Sequence, residues 1–269
     1  MHDERIVTFN EIEKEAGFNL PDNLLVFIAN ETFYKKLKIF MENNIYHKFK
    51  NAIQIDQVKF APPLTNPEKI WCIGLNYQEH ALDLDAVIPT EPASFMKPNT
   101  TLIGHMSNIV LPRGYGRITG ESEMAMILGK TARNVREENA LDHLFGIMPA
   151  IDMTALDILQ KNPRFLTRAK SFDTFLSTGP FIFTMDELDG LDKIEVSTVK
   201  NGKTVHRNFI SSMMFAPEKL ISFHSSVFTF NPGDIILSGT PGAVEINPGD
   251  IIEARLKVKG MPVLANHVV

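Results

Sequence analysis

Two glutamates separated by one residue, Glu121 and Glu123, open an otherwise apolar segment that ends at Leu128. In a β-strand, side chains two positions apart point to the same face of the sheet. We therefore predict a strand that is buried on both faces and begins with two carboxylates side by side. Buried carboxylates need a partner. Because no lysine or arginine alternates with them, the residues indicate a hard divalent cation held by oxygen ligands.

A third carboxylate, Asp152, closes the apolar run of residues 144–151, which is suited to a buried strand. Thr154 and Asp157 then resemble a capping box at the start of a helix. This pattern predicts that Asp152 lies at a strand-to-helix junction, where it can join the two glutamates. The local sequence leaves open the alternative that Asp152 itself caps the helix. Three carboxylates would leave about half of an octahedral Mg²⁺ shell for water and a bidentate ligand.

A candidate general base, His80, follows the apolar run of residues 70–73. At helical spacing His80 and Asp83 are neighbours, and a histidine oriented by a carboxylate can act as a base near neutral pH. The pair alone is more typical of an exposed helical turn. Lys170 and the glycine-flanked Thr240 offer a cation and hydroxyl or backbone donors to a substrate carboxylate. Each of these two, taken singly, is more typical of a surface cation or a plain turn.

The composition argues against two classes of partner. The 269 residues are 44% hydrophobic and 22% charged, as in an ordinary globular protein, and the net charge of −5 argues against nucleic-acid binding. No apolar stretch is long enough to span a membrane, and the N-terminus lacks the apolar core of a signal peptide. The single cysteine, Cys72, lies in an apolar run and indicates core packing rather than a nucleophile. We expect a cytoplasmic protein.

The chain divides into two regions of different character. Residues 1–66 carry a helical pattern of apolar side chains and end in a segment rich in proline and turn residues. Residues 67–269 are mostly strands with a few helices, without the regular alternation of a doubly wound sheet. We predict an α+β, β-rich fold with a small N-terminal α/β region.

Several short motifs together give the chain a family resemblance. It is similar to the fumarylacetoacetate hydrolase family over residues 69–269, in particular to its bacterial acylpyruvate hydrolase and oxaloacetate decarboxylase-like members. The motifs occur in the family's order: residues 73–77 with His80, residues 95–98, Glu121 with Glu123, Asp152, residues 170–173, and residues 238–241. The resemblance implies a C-terminal mixed β-roll or sandwich with a few helices, a homodimer, and Mg²⁺ or Mn²⁺ as the cofactor of an enzyme acting on 2-oxo acids.

The resemblance also implies a role for individual residues. It assigns metal binding to Glu121, Glu123 and Asp152, and activation of water to His80 with its acidic partner Asp83. It places Lys170 beside the substrate, where its ammonium would help to hold the charge that develops on the substrate. It further assigns substrate contacts to Gln160 and Thr240.

Three positions depart from the family's pattern. The partner of His80 is usually a glutamate, and Asp83 is one methylene shorter. Gly120 replaces a bulky residue, and Leu156 stands where an arginine is common, which alters the substrate pocket or the groups around it.

The resemblance implies a substrate that chelates the metal through its carboxylate and 2-oxo oxygens, and an enolate that the cation stabilises. The leading hypothesis is hydrolysis of the C–C bond of an acylpyruvate of the fumarylpyruvate or acetylpyruvate type. The alternatives are oxaloacetate decarboxylation, a lyase reaction, and isomerisation or tautomerisation of 2-hydroxyhepta-2,4-diene-1,7-dioate. A metal- and ligand-binding protein with residual catalysis is a further alternative. The short Asp83 favours the reactions that need no activated water.

Overall fold

The structure is a computed structural model that describes residues 5–42, 49, 51–83 and 86–269. It divides into two compact units, Met1–Lys59 and Phe60–Val269. Among the described residues, no helix combines the length and the apolar character that crossing a bilayer requires.

In its described residues, the N-terminal unit has three α-helices and one short strand pair. Strand β1 (Arg5–Ile6) pairs in antiparallel fashion with β2 (Ile53–Gln54). The helices are α1 (Phe9–Ala16), α2 (Leu24–Ile28) and α3 (Glu31–Glu42), and a 3₁₀ helix covers Ile55–Gln57. The buried apolar side chains include Ile12, Phe27 and Ile28. The helical pattern of the sequence is therefore observed in this unit.

The C-terminal unit consists mainly of strands. In chain order they are β3 (Ile70–Gly74), β4 (Ala93–Met96), β5 (Leu102–Ile103), β6 (Asn108–Ile109), β7 (Ile118–Leu128), β8 (Leu144–Ala155), β9 (Leu176–Thr178), β10 (Phe183–Thr184), β11 (Glu195–Lys200), β12 (Lys203–Phe209), β13 (Ile235–Leu237), β14 (Ala243–Ile246), β15 (Ile251–Leu256) and β16 (Leu264–Val268). The helices are α4 (Gln78–Asp83), α5 (Leu156–Lys161), α6 (Leu166–Lys170) and α7 (Pro217–Val227). Short 3₁₀ helices cover Asn99–Thr101, Glu137–His143, Met185–Glu187 and Ile210–Ser212.

These strands form two sheets within the described part of the unit. The larger has the order β4-β3-β13-β7-β8-β9-β5, with β10 also pairing with β8 and β14 with β7. The smaller has the order β12-β11-β15-β16-β6. The sheets are mixed, since β3 and β13 run parallel whereas β7 and β8 run antiparallel. The predicted β-rich α+β fold is confirmed.

The centre of the larger sheet is the long β7–β8 pair. Every residue of β7 is buried, and so is nearly all of β8. One apolar cluster includes Met124 and Met126 of β7, and a second includes Ile151 and Met153 of β8. In the register of the pair, these four side chains lie on one face, and Glu121 and Asp152 lie on the opposite face. The packed apolar face makes the pair a platform for the polar groups on its other face.

Two local predictions were wrong. Strand β8 does not end at Asp152, because residues 152–155 keep pairing with residues 118–121 of β7 and hold the backbone extended. Helix α5 begins only at Leu156 and has no side-chain cap. Thr154 donates its hydroxyl to Glu121 instead of capping the helix, and Asp157 pairs with Arg117. Asp152 is consequently a strand residue, and it does not cap a helix.

Candidate active site

The three candidate carboxylates lie on one face of the β7–β8 pair. Glu121 is directly opposite Asp152 in the register, and Glu123 is opposite the small Ala150. Directly opposite residues of an antiparallel pair have side chains on the same face. All three side chains are buried, and one oxygen atom from each lies within 4.8 Å of the others. The sheet register therefore brings together the carboxylates that the sequence predicts as metal ligands.

Two buried lysines contact the same carboxylates. The Nζ atom of Lys170, the last residue of α6, lies 2.9 Å from Glu121 Oε2 and 2.6 Å from Asp152 Oδ2. Lys97 Nζ lies 2.5 Å from Asp152 Oδ1 and also donates to the backbone oxygen of Lys170. We call the five residues the carboxylate–lysine cluster, namely Lys97, Glu121, Glu123, Asp152 and Lys170.

Burial and neighbouring charges act differently on the members of this cluster. Burial opposes the charge of Glu121, but Lys170 outweighs it and lowers the pKa of that carboxyl. Burial raises the pKa of Glu123, and Asp152 adds to the effect. Burial also opposes the charge of Lys170, yet Asp152 and Glu121 raise its pKa above the usual value for a lysine. Lys170 is thus charged at neutral pH. Glu123 is the carboxyl group of the cluster whose ionised form is opposed by burial and is not offset by nearby positive charge.

The cluster fits a divalent cation. Three carboxylates face two ammonium groups, so the ionised cluster has one negative charge in excess. Burial, followed by Asp152, makes Glu123 the carboxyl whose pKa is raised. Oxygen ligands of this kind suit Mg²⁺ or Mn²⁺. A cation beside Glu123 would favour the ionised carboxylate and would thus oppose the effect of burial on its pKa. The residues that would hold the ion are Glu121, Glu123 and Asp152.

A turn leaves the sheet beside Glu123. On the same edge of β7, strand β13 ends with Leu237 opposite Ala125, and β14 starts with Ala243 opposite Glu121. Among the described residues, the turn between them, residues 238–242, makes one backbone–backbone hydrogen bond to β7, in which Ser238 N donates to Met124 O. Gly239 N donates to Glu123 Oε2 over 2.6 Å. The sheet therefore opens at the carboxylates and supplies a backbone donor there.

Asn76 anchors this turn to the exit of β3. Its Nδ2 donates to Ser238 O over 2.8 Å and to Phe215 O over 3.0 Å, and its Oδ1 accepts from Phe215 N. Gly239 has a φ of +96°, and a Cβ atom there would lie 2.8 Å from the Cβ of Asn76. Only glycine fits this close approach. Leu75, just before Asn76, has a φ of +54°, an uncommon value that turns the chain toward helix α4.

The predicted site residues meet at one pocket of about 570 Å³. Its lining includes His80, Asp83, Gln160 and Thr240 together with Glu121, Glu123 and Lys170. Asp152 lies in the cluster beneath, with no exposed side-chain surface. Much of the remaining surface belongs to what we call the apolar lining, formed by Leu75, Ala86, Leu156, Leu159, Pro163 and Leu166.

His80 is buried in this pocket without a hydrogen bond to Asp83. Among the described residues, neither side chain has a hydrogen bond to the other, and Asp83 is exposed. Burial lowers the pKa of His80. The imidazole is accordingly neutral at pH 7 and can accept a proton. Its predicted orientation by Asp83 is not observed in this geometry.

The two predicted substrate contacts differ in their surroundings. Thr240 is buried, and its hydroxyl donates to Gly242 O over 2.9 Å. Gln160 is exposed, and its Oε1 accepts from Arg117 Nη2 over 2.5 Å. Because arginine is a donor only, this contact leaves the amide NH₂ of Gln160 free for another acceptor.

Sequence reasoning missed two residues of the site. Lys97 is part of a recognised motif, yet nothing in its local sequence indicates that its ammonium reaches Asp152, 55 residues away. Asn76 connects segments that are 139 and 162 residues away. For Lys97 the sequence did offer one signal, because a lysine that directly follows an apolar strand needs a partner if it is buried.

Comparison with known proteins decides the family. The model for the C-terminal domain of fumarylacetoacetate (FAA) hydrolase matches residues 69–269. The chain belongs to this family. The predicted family is therefore confirmed, and family members include hydrolases, isomerases and tautomerases.

Three relatives illustrate the range. The mitochondrial oxaloacetate tautomerase fahd2 of Xenopus laevis is 34% identical over 221 residues, which are 79% of this chain and 69% of that protein. The crystal structure of 5-carboxymethyl-2-hydroxymuconate delta-isomerase from Mycobacterium smegmatis has a TM-score of 0.73 at 32% identity, and covers 81% of this chain and 85% of the other. Fumarylpyruvate hydrolase from Pseudomonas aeruginosa, in complex with Mn²⁺ and pyruvate, has a TM-score of 0.70 over 76% of this chain and 90% of the other. At 23% identity the last likeness concerns the fold alone.

Proposed function

We propose that the protein is a divalent-metal-dependent enzyme that hydrolyses the C–C bond of an acylpyruvate. The observation that carries the proposal is one pocket that combines a charged Lys170 and a neutral His80 with Glu121 and Glu123, and that has Asp152 directly beneath it. Glu121, Glu123 and Asp152 would hold Mg²⁺ or Mn²⁺. When bound, the ion supplies Lewis-acid polarisation of the carboxylate and 2-oxo oxygens of the substrate.

The residues of the chain supply the remaining chemistry. His80 takes a proton from water, whose oxygen then bonds to the acyl carbonyl carbon. The C3–C4 bond breaks, and its electron pair passes to C3 and, by conjugation, to the 2-oxo oxygen. Lys170 holds positive charge near that oxygen. His80 returns the proton to C3, and the products are a carboxylic acid and pyruvate.

Tautomerisation of a 2-oxo acid is the second candidate. It is favoured by the missing hydrogen bond between His80 and Asp83, since moving a proton to or from C3 needs no positioned water. The similarity to an oxaloacetate tautomerase supports it as well. Decarboxylation of oxaloacetate would use the same cluster, also without an activated water.

One experiment separates these reactions. Metal-stripped protein, restored with Mn²⁺ or Mg²⁺, is assayed against acetylpyruvate, fumarylpyruvate and oxaloacetate, and pyruvate release is followed beside the decay of the enol absorbance. Hydrolysis of the acylpyruvates supports the leading proposal, whereas accelerated enol decay without pyruvate supports the tautomerase. A His80→Ala variant that retains full acylpyruvate hydrolysis contradicts the role given to His80.

Three expectations complete the proposal. We propose that the protein is a homodimer, as the resemblance implies, and that it is cytoplasmic, as expected from the composition. We further propose that residues 67–269 are the catalytic domain, with residues 1–66 as a separate small region. Sedimentation velocity of the full chain tests the dimer.

A further inference from the structure

The pocket offers a substrate much more apolar surface than the 2-oxo acid head requires. The pocket has a volume of about 570 Å³ and extends along the six residues of the apolar lining. None of the six is fully buried, so a ligand can contact them. The same lining carries two exposed carboxylates, Asp83 and Glu245. Glu245 is two residues along β14 from Ala243, which lies opposite Glu121. A substrate tail that leaves the cluster consequently meets apolar groups and negative charge.

No free cation balances these charges among the described residues that line the pocket. Lys170 is already held by Glu121 and Asp152. Arg117 contacts the lining residue Gln160, but its Nε donates to Asp157 Oδ1 over 2.9 Å. Lys200 binds the backbone oxygen of Glu245 and the carboxylate of Asp250.

A second carboxylate on the substrate would therefore have no charged partner. Moving a carboxylate from water to an apolar surface costs several kcal/mol unless an opposite charge or several donors compensate it. The amide NH₂ of Gln160 is one neutral group and does not neutralise a carboxylate. An aliphatic or aromatic tail, in contrast, gains binding free energy from each part of the apolar lining that it covers.

We propose that the pocket selects 2-oxo acids with an uncharged, apolar tail and discriminates against 2-oxo dicarboxylates. The proposal rests on the proposed function and specifies its substrate class. The residues that determine the selection are the apolar lining and Glu245.

Binding of a matched pair tests the selection without any turnover. 2-Oxohexanoate and 2-oxohexanedioate differ only in a terminal methyl group against a terminal carboxylate. We expect calorimetry with the Mn²⁺-loaded protein to give a Kd at least about tenfold lower for the monoacid. Equal affinities, or tighter binding of the diacid, would overturn the inference.

Two variants link the preference to the lining. Leu159→Arg supplies a cation, and we expect the affinity ratio to shift toward the diacid by about tenfold or more. Glu245→Gln removes a repelling charge, is conservative for the fold, and is expected to shift the ratio in the same direction by a smaller factor. Val227→Arg, on an exposed position of α7 outside the pocket, is the matched control. Ratios that stay unchanged in Leu159→Arg and Glu245→Gln would overturn the inference.

Oxalate distinguishes this inference from the proposed function, because oxalate has the chelating head and no tail. If oxalate binds and the two hexanoates bind equally, only the selection for apolar tails is wrong. If neither oxalate nor any 2-oxo acid binds to the Mn²⁺-loaded protein, the proposed function and the inference are both wrong.

Discussion

The carboxylate–lysine cluster and the apolar lining belong to the same pocket but are built in different ways. The cluster side chains come mainly from the paired strands β7 and β8 and are nearly inaccessible, with Lys97 and Asp152 both 0% exposed. The apolar lining comes mainly from the short helices α5 and α6 and the exit of β3, and it is partly exposed. The cluster is fixed by register and ion pairs, whereas the lining lies on short helices and loops, where Leu159 packs against the second apolar cluster.

Because of this difference, substitutions are tolerated in one part of the site and not in the other. A change in the cluster leaves a buried charge without a partner, so the platform and the chemistry it supports are tied to the stability of the fold. A change in the lining alters shape and polarity at a partly solvated surface and costs little stability. Substrate choice can thus change at the lining without rebuilding the cluster.

The largest expected effect comes from breaking the ion pair within the cluster. Lys97→Met removes the charge that faces Asp152 Oδ1 and leaves a fully buried carboxylate with one cation fewer. We expect the free energy of unfolding to fall by about 3–5 kcal/mol, measured by urea denaturation. The matched control, Lys257→Met at an exposed position, should change it by less than about 0.5 kcal/mol. A loss below about 1 kcal/mol in Lys97→Met would show that the cluster does not depend on Lys97.

The next effect concerns the ion that the cluster fits. Glu123→Gln keeps the shape of the side chain and an oxygen that can accept from Gly239 N, but it removes the carboxylate that faces the least positive charge. We expect the affinity for Mn²⁺ to fall more than about 100-fold, measured by calorimetry on metal-stripped protein.

Glu245→Gln is the control for this loss, because it removes a carboxylate from the same pocket but outside the cluster. Its affinity for Mn²⁺ should stay within a factor of about two of the wild type, since Glu245 is exposed and water and salt screen its charge. Comparable losses in the two variants would mean that the ion responds to the charge of the whole pocket and that the cluster does not bind it directly.

The same contrast explains what could be predicted from the sequence. Local patterns were sufficient for the buried strand that carries Glu121 and Glu123, because the pattern of apolar side chains acts within a few positions. The strand itself begins earlier than the two glutamates, at Ile118. Local patterns failed at Asp152, where pairing with β7 kept the chain extended although the following residues resemble a helix start. Tertiary pairing overrides local capping signals of this kind.

Two near-identical turns show the limit of local information. Residues 231–236 and 247–252 share the sequence Asn-Pro-Gly-Asp-Ile-Ile. Asp234 is completely buried and binds Lys69, and burial raises its pKa. Asp250 is half-buried; burial opposes its charge there too, but Lys200 and Asn201 outweigh it and lower its pKa. The sequence therefore predicts the turn, whereas the surroundings of each aspartate depend on distant segments, as do the contacts of Lys97 and Asn76.

The smallest expected effect belongs to His80, which lies between the cluster and the lining. Burial lowers the pKa of its imidazole; Lys170 and His206 act in the same direction, and Glu121 and Asp83 oppose them. A base is active when deprotonated, so the acid limb of kcat/KM should lie below pH 6.5, the usual value for histidine. The measurement is a pH–rate profile of the Mn²⁺-loaded enzyme.

His224 is the matched control, because burial lowers the pKa of this histidine outside the pocket too. In both cases the unfolded chain binds the proton more readily than the folded one, so stability is complete above about pH 6.5 and falls as the pH decreases below it. Unfolding must therefore be followed at each pH, and the limb assigned only where the protein stays folded. His224→Gln should leave the limb in place and His80→Ala should remove it. An acid limb that persists in His80→Ala would assign the proton transfer to a group of the carboxylate–lysine cluster. The cluster would then supply the base as well as the metal ligands.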